Sequence, residues 1–245
     1  MDLALARRGT SECVGTGLLV AVVIGSGTAA ERLSPTDVGL QLLENSIATG
    51  AALVALILAF GAVSGAHFNP IVTMADRLLG GMSTGEASAY IGAQLIGGAA
   101  GAMIANLMFD LPAVNWSTNN RTSVAHTVSE VVATFGLLLV VLGVIRTGQR
   151  NLAAFAVGGY IAAAYWFTSS TSFANPAVTI ARTMSDTFTG IAPASVPWFV
   201  VAQCIGGALA LALARFLYPN LPDHAGDLIV VHEQFEPNQR CDNDG

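Results

Sequence analysis

Two stretches of this chain are near-copies: Phe68-Asn69-Pro70-Ile71-Val72-Thr73-Met74-Ala75 and Ala174-Asn175-Pro176-Ala177-Val178-Thr179-Ile180-Ala181. Asn is a favoured helix N-cap and Pro is preorganised for the first helical position, so each Asn-Pro reads as a helix start. Each follows a long apolar stretch and opens a short one. Two helix starts at the depth of a bilayer imply two half-helices meeting at its midplane, which is a signal for a pore.

Composition points the same way. Hydrophobic residues make up 53% of the chain and charged residues 11%, and mean hydropathy is +0.61. A soluble domain carries about 25% charged residues. The basic residues are all Arg, and the net charge of -6 lies largely in the C-terminal tail. No clustered positive surface for nucleic acid is present. Cys13, Cys204 and Cys241 are scattered and odd in number, which argues against a disulfide framework. Cys13 and Cys204 read as packing residues. Metal binding by His224, His232 and Cys241 in the tail is the weaker reading of those residues. No nucleophile triad, phosphate loop or metal cluster is visible, so neither an enzyme nor a bound cofactor is expected.

Six stretches, near 11–30, 41–61, 87–109, 123–145, 152–169 and 194–217, are apolar and long enough to span, given that about 20 residues cross the hydrocarbon core. Short apolar stretches, 70–80 and 176–187, follow the second and fifth. The expected organisation is a cytoplasmic N-terminus (1–10), a first repeat (11–109), a connecting loop (110–122), a second repeat (123–217) and an acidic tail (218–245). With both termini in the cytoplasm, the inside segments hold Arg7, Arg8, Arg77, Arg146, Arg150, Arg215 and Arg240, and the outside segments hold Arg32, Arg121 and Arg182. Seven against three satisfies the positive-inside rule. Arg7 and Arg8 precede an uncleaved first span.

The halves echo one another further. Glu12-Cys13-Val14-Gly15-Thr16 resembles Glu130-Val131-Val132-Ala133-Thr134, and Ala93-Gln94-Leu95-Ile96-Gly97-Gly98-Ala99 resembles Ala202-Gln203-Cys204-Ile205-Gly206-Gly207-Ala208. Three spans per half forces the second half into the membrane upside down. Inverted repeats with interrupted helices place a substrate path at the interface between the halves. Irregular backbone at that depth survives only where it lines a cavity or is buried in protein. Two facing half-helix N-termini repel cations, while the Asn69 and Asn175 amides can donate to a neutral oxygen. The bland reading is that each Asn is only a cap.

Ser64-Gly65-Ala66-His67-Phe68-Asn69-Pro70, the second Asn-Pro, the paired Glu residues and the six spans together resemble the aquaporin and glycerol-facilitator (major intrinsic protein) family over residues 10–217. The resemblance implies an all-α membrane protein of six transmembrane helices and two re-entrant half-helices in an inverted 3+3 repeat. It also implies a homotetramer with one pore per subunit in a cell membrane. The pore midplane would hold Asn69, Asn175, Ile71 and Ala177, with Ile71 standing where the family has Ala and either narrowing the midplane or packing behind it. Carboxylates inside spans are costly and generally functional. By the resemblance, Glu12 and Glu130 hold the re-entrant loops by accepting backbone hydrogen bonds; in a proton-coupled transporter they would be relays.

By resemblance, counting from the two Asn residues places the narrowest ring at Thr49, Ala163, Ser172 and Val178. Water-selective members resemble one another in having an aromatic, a His and an Arg there, and Val178 stands in place of that Arg. The wide, uncharged ring favours polyols, urea-like solutes and neutral metalloid hydroxides, with a broad-tolerance water channel as the alternative. The Thr49 and Val178 pair looks like a prokaryotic branch associated with arsenical efflux. His67 is either a vestibule group open to pH gating or a satisfied loop histidine. Arg182, at i+4 from Val178, either carries the missing charge outward to the mouth or snorkels to the interface; Asp76 holds the equivalent offset in the first half. His126, Tyr165 and Trp166 form no constellation in the sequence.

Overall fold

A computed structural model describes residues 3–146 and 152–218. The expected acidic tail, with its His224, His232 and Cys241, lies outside the described residues, apart from position 218. The described chain is helical: α1 (Leu3–Leu33), α2 (Val38–Ser64), α3 (Pro70–Leu79), α4 (Thr84–Met108), α5 (Val124–Arg146), α6 (Ala153–Phe167), α7 (Pro176–Ala181) and α8 (Val196–Leu217). Five helices are long and apolar enough to cross a membrane, and α6 is a shorter apolar helix. Fifteen residues rise about 22 Å, less than the roughly 30 Å hydrocarbon core. The stretch expected to span 152–169 stops at Phe167 because Thr168 is extended, with φ -113° and ψ 134°.

The two repeats build matching layers. In the first, α1 packs against both α2 and α4; in the second, α5 packs against α6 and α8, and α2 against α6 joins the repeats. Small residues let these helices touch backbone to backbone. A Cβ at Gly97 or Gly101 of α4 would lie 2.0 Å from Cys13 O and 2.1 Å from Gly17 O of α1, so neither position admits a side chain. Large apolar side chains such as Leu58, Ile96, Trp198 and Phe216 face outward, as suits a lipid-facing belt. Cys204 is exposed there too, whereas the sequence suggested a packing role.

The half-helices α3 and α7 enter between the layers, touch one another, and each packs on both α4 and α8. Asn69 and Asn175 are their N-caps, each followed by Pro at the first position, and both side chains accept from the backbone two residues on, at 2.9 and 3.0 Å. Gly80, at φ 94°, ends α3 in the left-handed region. The second half-helix is shorter than the expected 176–187. After Ala181 it tightens into a 3₁₀ turn over Arg182–Met184. The cause lies in the loop 110–122, whose Ser117 and Asn115 amides take the Thr183 and Met184 carbonyls at 2.8 and 2.9 Å, so those groups are unavailable to a continuing helix.

Candidate functional site

Between the repeats runs a cavity, and its wall shows where the sequence-derived residues fall. Thr49, Ser172, Val178, Asn69, Asn175, His67 and Arg182 line it, together with Tyr165, Phe173 and a sleeve of aliphatic side chains that includes Leu53, Ile57, Val141, Val157 and Ile161. Both Asn residues line it, and their amides cross between the halves. Asn69 Nδ2 donates to Ala174 O at 2.8 Å, and Asn175 Nδ2 donates to Phe68 O at 2.7 Å, so each half-helix is tied to the other half's loop.

The loops that carry these residues are held in an unusual backbone shape. Ala66 and Phe68 in the first, and Ser172 and Ala174 in the second, all have φ near 50°. A left-handed non-Gly residue costs of order 1–3 kcal/mol and persists only when its surroundings over-determine it. Two buried carboxylates supply that constraint. Glu12 Oε1 accepts from Ser64 Oγ at 2.7 Å and His67 N at 2.9 Å; its Oε2 accepts from Phe68 N at 2.7 Å and Gln94 Nε2 at 2.8 Å. Glu130 accepts from Phe173 N and Ala174 N, both at 2.9 Å, and from Gln203 Nε2 at 2.6 Å. The two glutamines also donate to Thr73 and Thr179 Oγ1 at 3.0 and 2.9 Å, and these hydroxyls donate back to the Asn69 and Asn175 carbonyls. Neither Glu lines the cavity.

Four further residues of the expected set have a defined place in the structure. Ala163 is exposed on the outer side of α6, whereas Tyr165, two residues on, is buried, lines the cavity and lies 3.1 Å from Thr49 Oγ1. Two residues turn a helix by about 200°, so Ala163 and Tyr165 lie on nearly opposite faces of α6. Of the two roles open to Ile71, its surroundings fit packing: it is buried against α8, where Gly207 makes room, since a Cβ there would lie 2.6 Å from Ile71 Cγ2. Ala177, its repeat partner, is buried, with its carbonyl 3.4 Å from where a Cβ of Gly98 in α4 would stand. Finally, Arg182 does not snorkel. It is 2% exposed, its Nε donates to Thr189 O, and its Cζ stands 3.4 Å from the centre of the Phe173 ring.

His67 is buried in its loop, with Nδ1 3.2 Å from Thr73 Oγ1 and Nε2 3.9 Å from Asp76 Oδ2. The first half-helix thus buries an acid, Asp76, at the offset where the second buries Arg182. Sequence reasoning missed the roles of Gln94, Gln203, Tyr165 and Phe173. The glutamines were marked by the repeated Ala-Gln, but their partners are 82 and 73 residues away. Among the described residues no cluster of His, Cys, Asp and Glu could hold a metal ion.

A cavity running between two inverted helical repeats, with half-helices capped at its centre, defines a channel-type membrane protein. A sequence profile described as "Major intrinsic protein" matches residues 2–168 and 147–241. The chain belongs to that family. It is 50% identical over 216 residues to "Aquaglyceroporin AqpS" of Rhizobium meliloti (strain 1021), covering 88% of this chain and 92% of that one. It is 30% identical over 239 residues to human "Aquaporin-5", covering 90% and 85%. In fold it is similar to the crystal structure of the aquaglyceroporin from Plasmodium falciparum, with TM-score 0.69, 21% identity, and coverage of 89% of this chain and 98% of that one.

Proposed function

We propose that this chain is a passive channel for small neutral solutes: glycerol-like polyols, neutral metalloid hydroxides such as arsenite, methylated arsenicals, and some water. The observation that carries the reading is the wall around Val178. There the chain presents an aliphatic side chain, the Ser172 hydroxyl without a hydrogen-bond partner among the described residues, and the Thr49–Tyr165 pair. Such a wall offers a few polar groups to hydroxyls and apolar surface to the carbon or methyl side of a solute. The likeness to an aquaglyceroporin at 50% identity supports solutes beyond water. Trivalent arsenite is a neutral trihydroxide near pH 7 and displays hydroxyls as glycerol does.

Asn69 and Asn175 line the midplane in this reading, and Glu12 and Glu130 are loop supports rather than proton relays. Their burial behind the cavity and their full sets of donors favour that role. The protein is a homotetramer in a cell membrane with both termini cytoplasmic, a topology supported by the seven-to-three distribution of Arg. The test is solute uptake by proteoliposomes, with glycerol and arsenite measured beside water. Rapid solute uptake that ignores an imposed pH gradient is expected; fast water flux without solute uptake favours a plain water channel, and uptake driven by the gradient favours a coupled transporter.

A further inference from the structure

Resting on the channel reading, we propose that Arg182 stacked on Phe173 is a selectivity element of this pore: a fixed cation and hydrogen-bond donor one helical turn from Val178. The charge missing at 178 is thereby supplied by a different residue on the same helix face, held against the ring of Phe173, one position beyond Ser172. Both side chains line the cavity.

The two arginines near Phe173 differ in what they do. Arg121 Cζ lies 5.3 Å from the ring centre, and its three nitrogens donate to Gly190 O, Ser170 O and Phe188 O at 3.0, 3.4 and 3.3 Å. It braces loops. Arg182 makes a single side-chain hydrogen bond among the described residues, from Nε to Thr189 O. Among the described residues its terminal nitrogens take no protein acceptor, although the residue is 2% exposed and lines the cavity. Five donors on a buried guanidinium demand acceptors, and the acceptor left is whatever oxygen passes through. Its position is fixed from behind: Thr189 sits where Gly27 lacks a side chain, since a Cβ there would lie 2.3 Å from Thr189 Cγ2. The aromatic face holds the guanidinium from the other side. Its seat just past the end of α7 is also where a helix favours positive charge. A cation in this place repels protons and metal cations and offers donors to the hydroxyls of a neutral solute.

The test uses full-length protein in proteoliposomes: wild type, R182Q and R182K, with glycerol and water permeability measured by light scattering. Proton leak is read with an entrapped pH dye under a potassium diffusion potential. Loss of one charge-assisted donor set lowers the glycerol-to-water ratio of R182Q about tenfold and raises its proton leak. R182K keeps protons out but loses part of the ratio, because an ammonium lacks the planar fork. Wild-type behaviour of R182Q in both assays overturns the proposal and leaves the channel reading standing; no solute flux in the wild type removes both. If R182Q fails to assemble, wild-type protein is treated with methylglyoxal, a small neutral arginine reagent. An Arg182 adduct with loss of glycerol flux is expected. An unmodified Arg182 beside a labelled Arg32 overturns the proposal.

Discussion

The Tyr165 hydroxyl and Thr49 Oγ1 lie 3.1 Å apart, joining α6 of one repeat to α2 of the other across the cavity wall. Tyr165→Phe removes that bond and leaves the ring. The expected cost is about 0.5–1.5 kcal/mol of stability, with a rise in the uptake of polyols larger than glycerol. Ala163→Leu, on the outer face of α6, is expected to leave permeability at the wild-type level. Loss of solute flux in Ala163→Leu with none in Tyr165→Phe would restore Ala163 to the ring.

The two buried carboxylates predict an order of damage. Glu12 accepts from four donors and Glu130 from three. A glutamine in either place turns an NH₂ toward donors and strands at least one of them, at about 1–3 kcal/mol for each buried group left unpaired. Thermal unfolding in detergent should therefore rank wild type above E130Q and E130Q above E12Q. An E12Q protein as stable as wild type would show that the first loop is held by something else.

Gly207 and Ile71 form a coupled pair. Gly207→Ala brings a Cβ to 2.6 Å from Ile71 Cγ2, and overpacking of this kind costs about 1–3 kcal/mol. Ile71→Ala in the same chain should recover much of that loss. A double-mutant cycle with additive effects would mean that the two residues do not share the space.

Val178→Arg places a second guanidinium at i-4 from Arg182 on one helix face, where like charges repel. The variant should pass water while glycerol and arsenite uptake falls about tenfold or more, a change of about 1.4 kcal/mol or greater in the barrier. Equal arsenite passage through V178R and wild type would remove Val178 from the filter.

The Asn-Pro copies, the inverted repeat and the paired Glu residues were legible because each is a local signal repeated once. What was not legible depended on register between segments far apart in sequence. Ala163 follows from counting back across the 168–175 loop, and a count across irregular backbone carries no information on which face of α6 it reaches. The direction in which Ile71 points was set by a glycine 136 residues later, 207 minus 71. For Arg182 the sequence leaves two readings open, the outer mouth and the interface; the loop that ends α7 early, and the gap at Gly27 filled by Thr189, bury it beside the cavity. The glutamines were visible as an echo, but an echo names a position, not a partner.

The crossed bonds from Asn69 to Ala174 O and from Asn175 to Phe68 O also govern how the molecule can be built. During synthesis the first half emerges with an amide whose acceptor does not yet exist and a carbonyl whose donor is still untranslated. A nascent chain ending at the first repeat holds half a conduit with nothing to close it. The lumen comes into being at one moment, when the later half docks. An unfinished chain therefore lacks both of the crossed contacts that the finished lumen is built around.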